Sequence, residues 1–223
     1  MNKLIRILLL SAAILLCFCA FTESDDFFCY ETADDGSVTI VGYTGYDRTV
    51  TIPETVDGLK VKRIGTTAFY GNENLRTLII KADLECVEKD AFAYCPNLRK
   101  VSFEGRCPIL WESSFEGCQL LREMKLPEDL ETIDNFAFKN CVRLGQVNIP
   151  ESVSLIGYQA FAGCDKLVLL TGDNQTAIQY AAENSIDTSF GESNDSMWLK
   201  IVGFTGLALL VIAAIIFIKR YFF

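Results

Sequence analysis

The sequence predicts a repeat solenoid of five 23-residue units with short parallel strands, and three observations support this prediction. A phenylalanine recurs every 23 residues, an aliphatic residue precedes each of these phenylalanines by five positions, and a leucine follows each by six. No insertion or deletion interrupts the register. Because stacked units bury one another's apolar faces, a constant period is typical of solenoids. The phenylalanines are Phe69, Phe92, Phe115, Phe138 and Phe161.

The first 20 residues are predicted to form a signal peptide or, as the alternative, an uncleaved membrane anchor. Lys3 and Arg6 precede an apolar run from residue 7 to residue 18, and small residues follow that run. A basic segment, an apolar segment and a small-residue cleavage site are the three parts of a secretory signal. Residues 21–63 are then expected to lead into the solenoid as its N-terminal cap.

The solenoid is predicted to span residues 64–172. Each of its units is predicted to contain a short strand and a short helical turn. Val147 and Ile149 alternate with polar neighbours, which indicates a strand. Pro150 ends this strand because proline has no N–H to donate. An Ala-Phe pair then opens the turn that directs the phenylalanine ring inward. The inward strand positions are Leu78, Val101, Met124, Val147 and Leu170.

Four cysteines recur with the same period and are expected to be free, buried thiols. Because they occupy identical positions they face the same way in every unit, and a buried thiol packs as a small hydrophobic group. Strained disulfides between neighbouring rungs are the alternative, since rungs lie about 5 Å apart. Cys107 is predicted to lie in the core, whereas Cys86 is predicted to face outward. The four periodic cysteines are Cys95, Cys118, Cys141 and Cys164.

The C-terminal part is predicted to contain a cap over residues 173–190, a short stalk over 191–198 and a transmembrane helix over 199–218. This helix includes 18 consecutive uncharged residues. Such a run spans about 27 Å as a helix, close to the thickness of a bilayer core. The basic pair that follows places residues 219–223 in the cytoplasm. We therefore expect a single-pass protein of the cell membrane with its N-terminal domain outside the cell.

The pattern L-x-x-I-x-I-P-x-x-[VL]-x-x-I-x-x-x-A-F-x-x-C resembles the BspA-type leucine-rich repeat of bacterial and protist surface proteins. The resemblance covers about residues 36 to 190 and includes an N-terminal β segment and a terminal helix over residues 177–184. It implies a leucine-rich-repeat solenoid with an N-terminal β cap and a C-terminal capping helix. Adhesion or protein binding at a cell surface is the function that the family suggests. Unit one departs from the pattern at Asn72, and unit three departs from it at Ser114.

Composition argues against a nucleic-acid partner and against most kinds of catalysis. Between Glu23 and Leu199 there are 15 basic and 29 acidic residues, a net charge of −14, which disfavours phosphate-bearing partners. The chain contains no histidine, so Ser-His, Cys-His and zinc-His machinery is excluded. Glycine-rich phosphate loops and metal-ligand spacings are also missing from the sequence. We therefore predict that the chain is not an enzyme and that it uses no cofactor or metal.

One face of the solenoid is a candidate binding face. Arg76, Arg99 and Arg122 occupy the same outward position in three consecutive units, beside Lys100. Trp111 is predicted to be partly exposed and could anchor a contact. Ordinary solvated charges are the alternative for the arginines. The predicted function is a membrane-anchored extracellular module that binds protein or glycan. A structural envelope protein that acts through self-association or membrane partners is the alternative.

Overall fold

The chain is described by a computed structural model over residues 27–189, in which fifteen short strands and one helix surround a continuous apolar core. The strands are β1 Phe28–Thr32, β2 Val38–Tyr43, β3 Thr49–Ile52, β4 Thr55–Val56, β5 Leu59–Ile64, β6 Thr77–Ile80, β7 Cys86–Val87, β8 Lys100–Phe103, β9 Ile109–Leu110, β10 Glu123–Lys125, β11 Thr132–Ile133, β12 Gln146–Asn148, β13 Leu155–Ile156, β14 Val168–Leu170 and β15 Asp187–Ser189. The helix α1 spans Gln175–Glu183.

The strands stack in two columns, which confirms the predicted repeat solenoid. The first column runs in the order β2, β5, β7, β9, β11 and β13 with parallel pairing, and β1 adds to β2 in antiparallel fashion. Strand β4 forms a small hairpin with β5. The second column contains β3, β6, β8 and β10 in one sheet and β12, β14 and β15 in another. Its backbone ladder is interrupted between β10 and β12.

The solenoid has about seven turns, and the prediction of five was too low. Strand β3 pairs with β6 as a full rung, with Val50 opposite Leu78, 28 residues later. Strand β15 pairs with β14 at the other end, with Thr188 opposite Leu169. Both strands were assigned to caps because the links before β6 and after β14 depart from the 23-residue period. Pairing depends on strand register, so the column continues across links of unequal length.

The last inward strand position was also predicted wrongly. Leu169, not Leu170, pairs with Val147 and is fully buried. Strand β14 begins one residue earlier than the 23-residue period requires. A shift of one residue along a strand reverses which of its side chains face the core.

The predicted helical turns are tight turns without helix. Two residues of each turn have positive φ, between 51° and 75°, and an α-helix cannot contain such residues. The central phenylalanine of a turn donates its N–H to the next turn instead, as Phe69 does to Ala91 at 2.7 Å. The turns therefore stack as a third hydrogen-bonded column. The positive-φ pairs are Thr67 and Gly71, Asp90 and Tyr94, Ser113 and Gly117, Phe136 and Asn140, and Gln159 and Gly163.

The five periodic phenylalanines form one continuous ring stack through the core. Neighbouring ring centroids lie 4.9, 5.1, 5.5 and 5.1 Å apart, with interplanar angles of 23° or less. Tyr43 extends the stack at one end, 5.4 Å from Phe69. Tyr180 of α1 closes the other end edge-on at 6.1 Å from Phe161. Its hydroxyl accepts a hydrogen bond from the Phe161 N–H at 3.2 Å, where the next turn would otherwise supply a carbonyl.

The periodic cysteines are buried, free thiols, and each thiol has a partner. Cys95 donates to the carbonyl oxygen of Phe69 at 3.1 Å, 26 residues earlier in the chain. The same bond recurs from Cys118 to Phe92, from Cys141 to Phe115 and from Cys164 to Phe138. The thiol thus gives the carbonyl a hydrogen bond in addition to the backbone one, as at Phe69, whose carbonyl also accepts from the Asn72 N–H at 3.1 Å. Cys107 is fully buried, as the sequence indicated.

Ser114 is the weakest point of this core. Its hydroxyl is completely buried and has no hydrogen-bond partner among the described residues. An unsatisfied buried hydroxyl costs free energy, and alanine occupies the equivalent place in the other four turns. We expect Ser114→Ala to raise the free energy of unfolding by about 1 kcal/mol, measured by urea denaturation. Ser152→Ala is the matched control: its hydroxyl donates to the Leu130 carbonyl at 2.6 Å, so its loss should destabilise the fold.

Several predicted segments lie outside residues 27–189. These are the signal peptide at 1–20, the stalk at 191–198, the transmembrane helix at 199–218 and the tail at 219–223. Within the described range, α1 is too short and too polar to cross a membrane.

Candidate functional site

The predicted arginine face is a backbone-aligned row. The Arg99 N–H donates to the Arg76 carbonyl at 2.8 Å, and the Arg122 N–H donates to the Arg99 carbonyl at 2.9 Å. The Arg76 N–H in turn donates to the carbonyl of Arg48 at 2.8 Å. The row therefore contains four arginines on consecutive rungs, which we name the arginine ladder: Arg48, Arg76, Arg99 and Arg122.

Within residues 27–189, no acidic side chain neutralises the guanidinium groups of the arginine ladder. No ion pair within 4.0 Å joins any of them to an acid among residues 27–189, although five other basic side chains there are paired. Like charges one rung apart, about 4.8 Å, repel each other. Lys100 differs from the ladder because its ammonium group pairs with Glu123 at 2.8 Å. Four aligned arginines without an acidic partner in the described part of an acidic chain form a row suited to anions.

Trp111 lies on another part of the surface and does not join the arginine ladder. It follows β9 in the first column, and its N–H donates to the Val87 carbonyl at 2.9 Å. Its side chain is 44% exposed. Glu88 precedes it by one rung and Asp134 follows it by one rung, because their N–H groups make the equivalent bonds. An exposed indole therefore lies between two carboxylates in register.

Cys86 is buried beneath this tryptophan, and the prediction that it faces outward was incomplete. Cys86 occupies the strand position that points away from the core, and Leu155 occupies the equivalent position of β13. Yet Cys86 is only 9% exposed, whereas Leu155 is 52% exposed. Burial raises the pKa of the Cys86 thiol, and a hydrogen bond from the Trp111 side chain opposes this only in part. The thiol stays protonated and is a poor nucleophile.

An open depression of about 640 Å³ surrounds Trp111. Two ion pairs stand at its margin, Arg63 with Glu85 at 2.7 Å and Lys89 with Glu112 at 2.8 Å. No group of three or more Cys, Asp or Glu side chains within residues 27–189 could hold a metal ion. The depression combines an aromatic face with polar rim groups, an arrangement typical of ligand-binding clefts.

Comparison with known families gives the architecture a name. The profile of the BspA type leucine rich repeat region matches six copies across residues 45–168. The chain belongs to this family. The six matched copies agree with rungs that begin before the first predicted unit. No curated protein sequence matches the chain.

Solved structures resemble this BspA-type protein over most of the described range. A leucine-rich repeat protein of T. pallidum is 28% identical with a TM-score of 0.63, over 66% of this chain and 70% of that chain. A leucine-rich repeat protein of Bacteroides ovatus is 28% identical with a TM-score of 0.59, over 67% of this chain and 40% of that chain. The match therefore spans less than half of the Bacteroides protein.

Sequence reasoning missed Arg48 as a member of the arginine ladder. The 23-residue period does not reach it, because the link that contains the β4–β5 hairpin sets β3 and β6 28 residues apart. The signal that could have found it is local: Arg48 directly precedes Thr-Val-Thr-Ile, as Arg76 directly precedes Thr-Leu-Ile-Ile.

Proposed function

We propose that this BspA-type protein is a non-catalytic recognition module at the cell surface that binds an anionic protein or glycan along the arginine ladder. The observation that carries the proposal is four guanidinium groups on consecutive rungs without an acidic partner among the described residues. Family membership supports the coarser statement of a non-catalytic binding protein. The apolar segments at both ends of the sequence support placement of the solenoid outside the cell on a single membrane span.

The geometry favours a polymeric anion over a single small one. The backbones of consecutive ladder arginines recur at the rung spacing of about 4.8 Å, so the row of backbone positions is about 14 Å long. A chain with regularly repeated carboxylates or sulfates can pair with several arginines at once. Multivalent contact of this kind raises affinity without any deep pocket.

The test compares two variants that each lose four positive charges, one within the arginine ladder and one outside it. We expect a variant with Arg48, Arg76, Arg99 and Arg122 changed to Gln to lose about tenfold or more in affinity for poly-L-glutamate or polygalacturonate. The control changes four exposed bases outside the ladder, Lys60, Lys81, Arg143 and Lys166, to Gln. Affinity is measured by fluorescence anisotropy of the labelled polyanion at two salt concentrations.

Equal losses in the two variants would contradict the proposal, because they would report net charge alone. The two probes separate a protein-like partner from a glycan. A pull-down from cell envelope that recovers only the chain itself, with no anion binding, would favour the structural, self-associating alternative.

A further inference from the structure

The depression around Trp111 carries an inference that is independent of the arginine ladder. Trp111 combines an exposed indole with two carboxylates in register, Glu88 on one side and Asp134 on the other. The strand spacing places the backbones of Glu88 and Asp134 each about one rung, near 4.8 Å, from the backbone of Trp111, and all three side chains line the depression. Aromatic faces flanked by carboxylates attract organic cations, because the ring quadrupole and the negative charges act in the same direction.

The basic residues nearest the depression do not fill this role. Arg63 and Lys89 are already paired with Glu85 and Glu112. Among residues 27–189 the chain uses Lys139 for a cation–π contact with Phe136, 4.7 Å from the ring centroid, and places no basic side chain over Trp111. No basic side chain of the described residues therefore forms an ion pair with Glu88 or Asp134 or a cation–π contact with the indole face.

The two carboxylates beside Trp111 are oriented by hydrogen bonds within the chain, and the buried Cys86 lines the same depression. Glu88 accepts hydrogen bonds from both the N–H and the hydroxyl of Thr66 at 3.0 Å, so its carboxylate is oriented. Asp134 accepts from the Asn135 N–H at 2.7 Å. A ligand would lose little affinity to the ordering of these groups, because they are already fixed.

We propose that this depression binds a guanidinium or alkylammonium group. The cation lies on the exposed indole face and pairs with the carboxylates of Glu88 and Asp134. The group can come from a basic side chain of a protein or from a free polyamine, since both present the same charge and hydrogen-bond donors. This site takes a cation, whereas the arginine ladder takes an anion, so the two proposals are tested independently of each other.

Tryptophan fluorescence of the full chain gives a direct test. The sequence contains two tryptophans, so Trp198→Phe makes Trp111 the single reporter. This protein, in detergent, is titrated with acetyl-Gly-Arg-Gly-amide and with the same peptide carrying citrulline, which has the shape of arginine but no charge. A third titration uses spermidine. We expect saturable fluorescence changes with the arginine peptide or spermidine, and an affinity about tenfold lower for the citrulline peptide.

Substitutions identify the groups responsible. Glu88→Gln with Asp134→Asn should weaken cation binding about tenfold, while Glu104→Gln, an exposed acid remote from Trp111, should leave it unchanged. Each single substitution is measured as well, so that the test survives if the double variant does not fold. Equal responses to arginine and citrulline peptides, non-saturating quenching, or full affinity in the folded carboxylate variants would overturn the proposal. The relative affinities of peptide and spermidine assign the source of the cation.

Discussion

Phe115→Ala is expected to lower the free energy of unfolding by about 3 to 5 kcal/mol, a large part of the stability of an ordinary domain. Phe115 is fully buried in the middle of the ring stack. Its two faces contact Phe92 at 5.1 Å and Phe138 at 5.5 Å, in nearly parallel planes. Alanine removes both stacking contacts and leaves a cavity that a rigid column of turns cannot close.

The backbone around Phe115 explains why the cavity persists. The Phe115 N–H donates to the Ala137 carbonyl at 2.8 Å, and the Ser114 carbonyl accepts from the Phe92 N–H at 2.8 Å. These bonds fix the spacing between turns, so the neighbouring rings cannot move together. Relaxation after a large-to-small change is therefore limited, and the cost lies toward the upper end of the usual range.

Urea denaturation and limited proteolysis measure this effect. Tyr46→Ala is the control, because Tyr46 is 83% exposed and its loss should change stability by no more than about 0.5 kcal/mol. Phe115→Leu keeps most of the apolar volume and should cost about 1.5 kcal/mol or less. Protease resistance of Phe115→Ala equal to that of the unchanged chain would show that the ring stack does not hold the solenoid together.

The sequence predicts the burial and alignment of the residues that recur with the 23-residue period. The five phenylalanines and the four cysteines lie at positions that repeat without interruption, so one inward direction applies to all of them. Their burial and their alignment follow from the repeat alone. The hydrogen bond from each thiol to a carbonyl 26 residues earlier does not follow, because it depends on the path of the turn.

Features that depend on residues outside the 23-residue pattern could not be predicted from the sequence. Tyr43 and Tyr180 end the ring stack from a strand and a helix outside the repeat, so no spacing identifies them. The burial of Cys86 depends on one large neighbour, Trp111, at a place where the other units carry Glu, Asp or Gly. The same substitution creates the aromatic depression. Candidate functional positions in a solenoid are therefore those where units differ, and their partners become visible only when the rungs are stacked.

Asn174→Ala is expected to cost about 3 kcal/mol or more, the second large effect. Asn174 is 6% exposed and joins the last repeat to the capping helix. Its side-chain oxygen accepts from the Ala177 N–H at 2.9 Å and caps α1. Its amide nitrogen donates to the carbonyls of Pro150 at 2.8 Å and Val153 at 2.9 Å. Alanine removes the cap and the donor to the buried Val153 carbonyl, and it leaves the Pro150 carbonyl with only the Val153 N–H at 3.2 Å.

A further variant, Asn174→Asp, divides this cost between its sources. Asn174→Asp keeps the capping oxygen but sets a carboxylate against the two carbonyls, which raises the pKa of the new carboxyl group. A group whose pKa is raised by folding contributes its stability below its unfolded pKa and loses it as pH rises. The deficit of this variant, measured by urea denaturation, should therefore decrease as pH falls from neutrality and be smallest below about pH 4. A deficit independent of pH would contradict the role of the amide donors.

The same residue begins the sequence Asn174-Gln-Thr176, a consensus for N-glycosylation. Because its amide nitrogen donates two hydrogen bonds inside the fold, the folded chain cannot present it for modification. Thr176→Ala destroys the consensus but keeps these bonds, so it should change stability by no more than about 0.5 kcal/mol. Mass spectrometry of the chain from a glycosylating host should find Asn174 unmodified. A glycan on Asn174 in folded, protease-resistant protein would refute the docking of α1 on the last repeat.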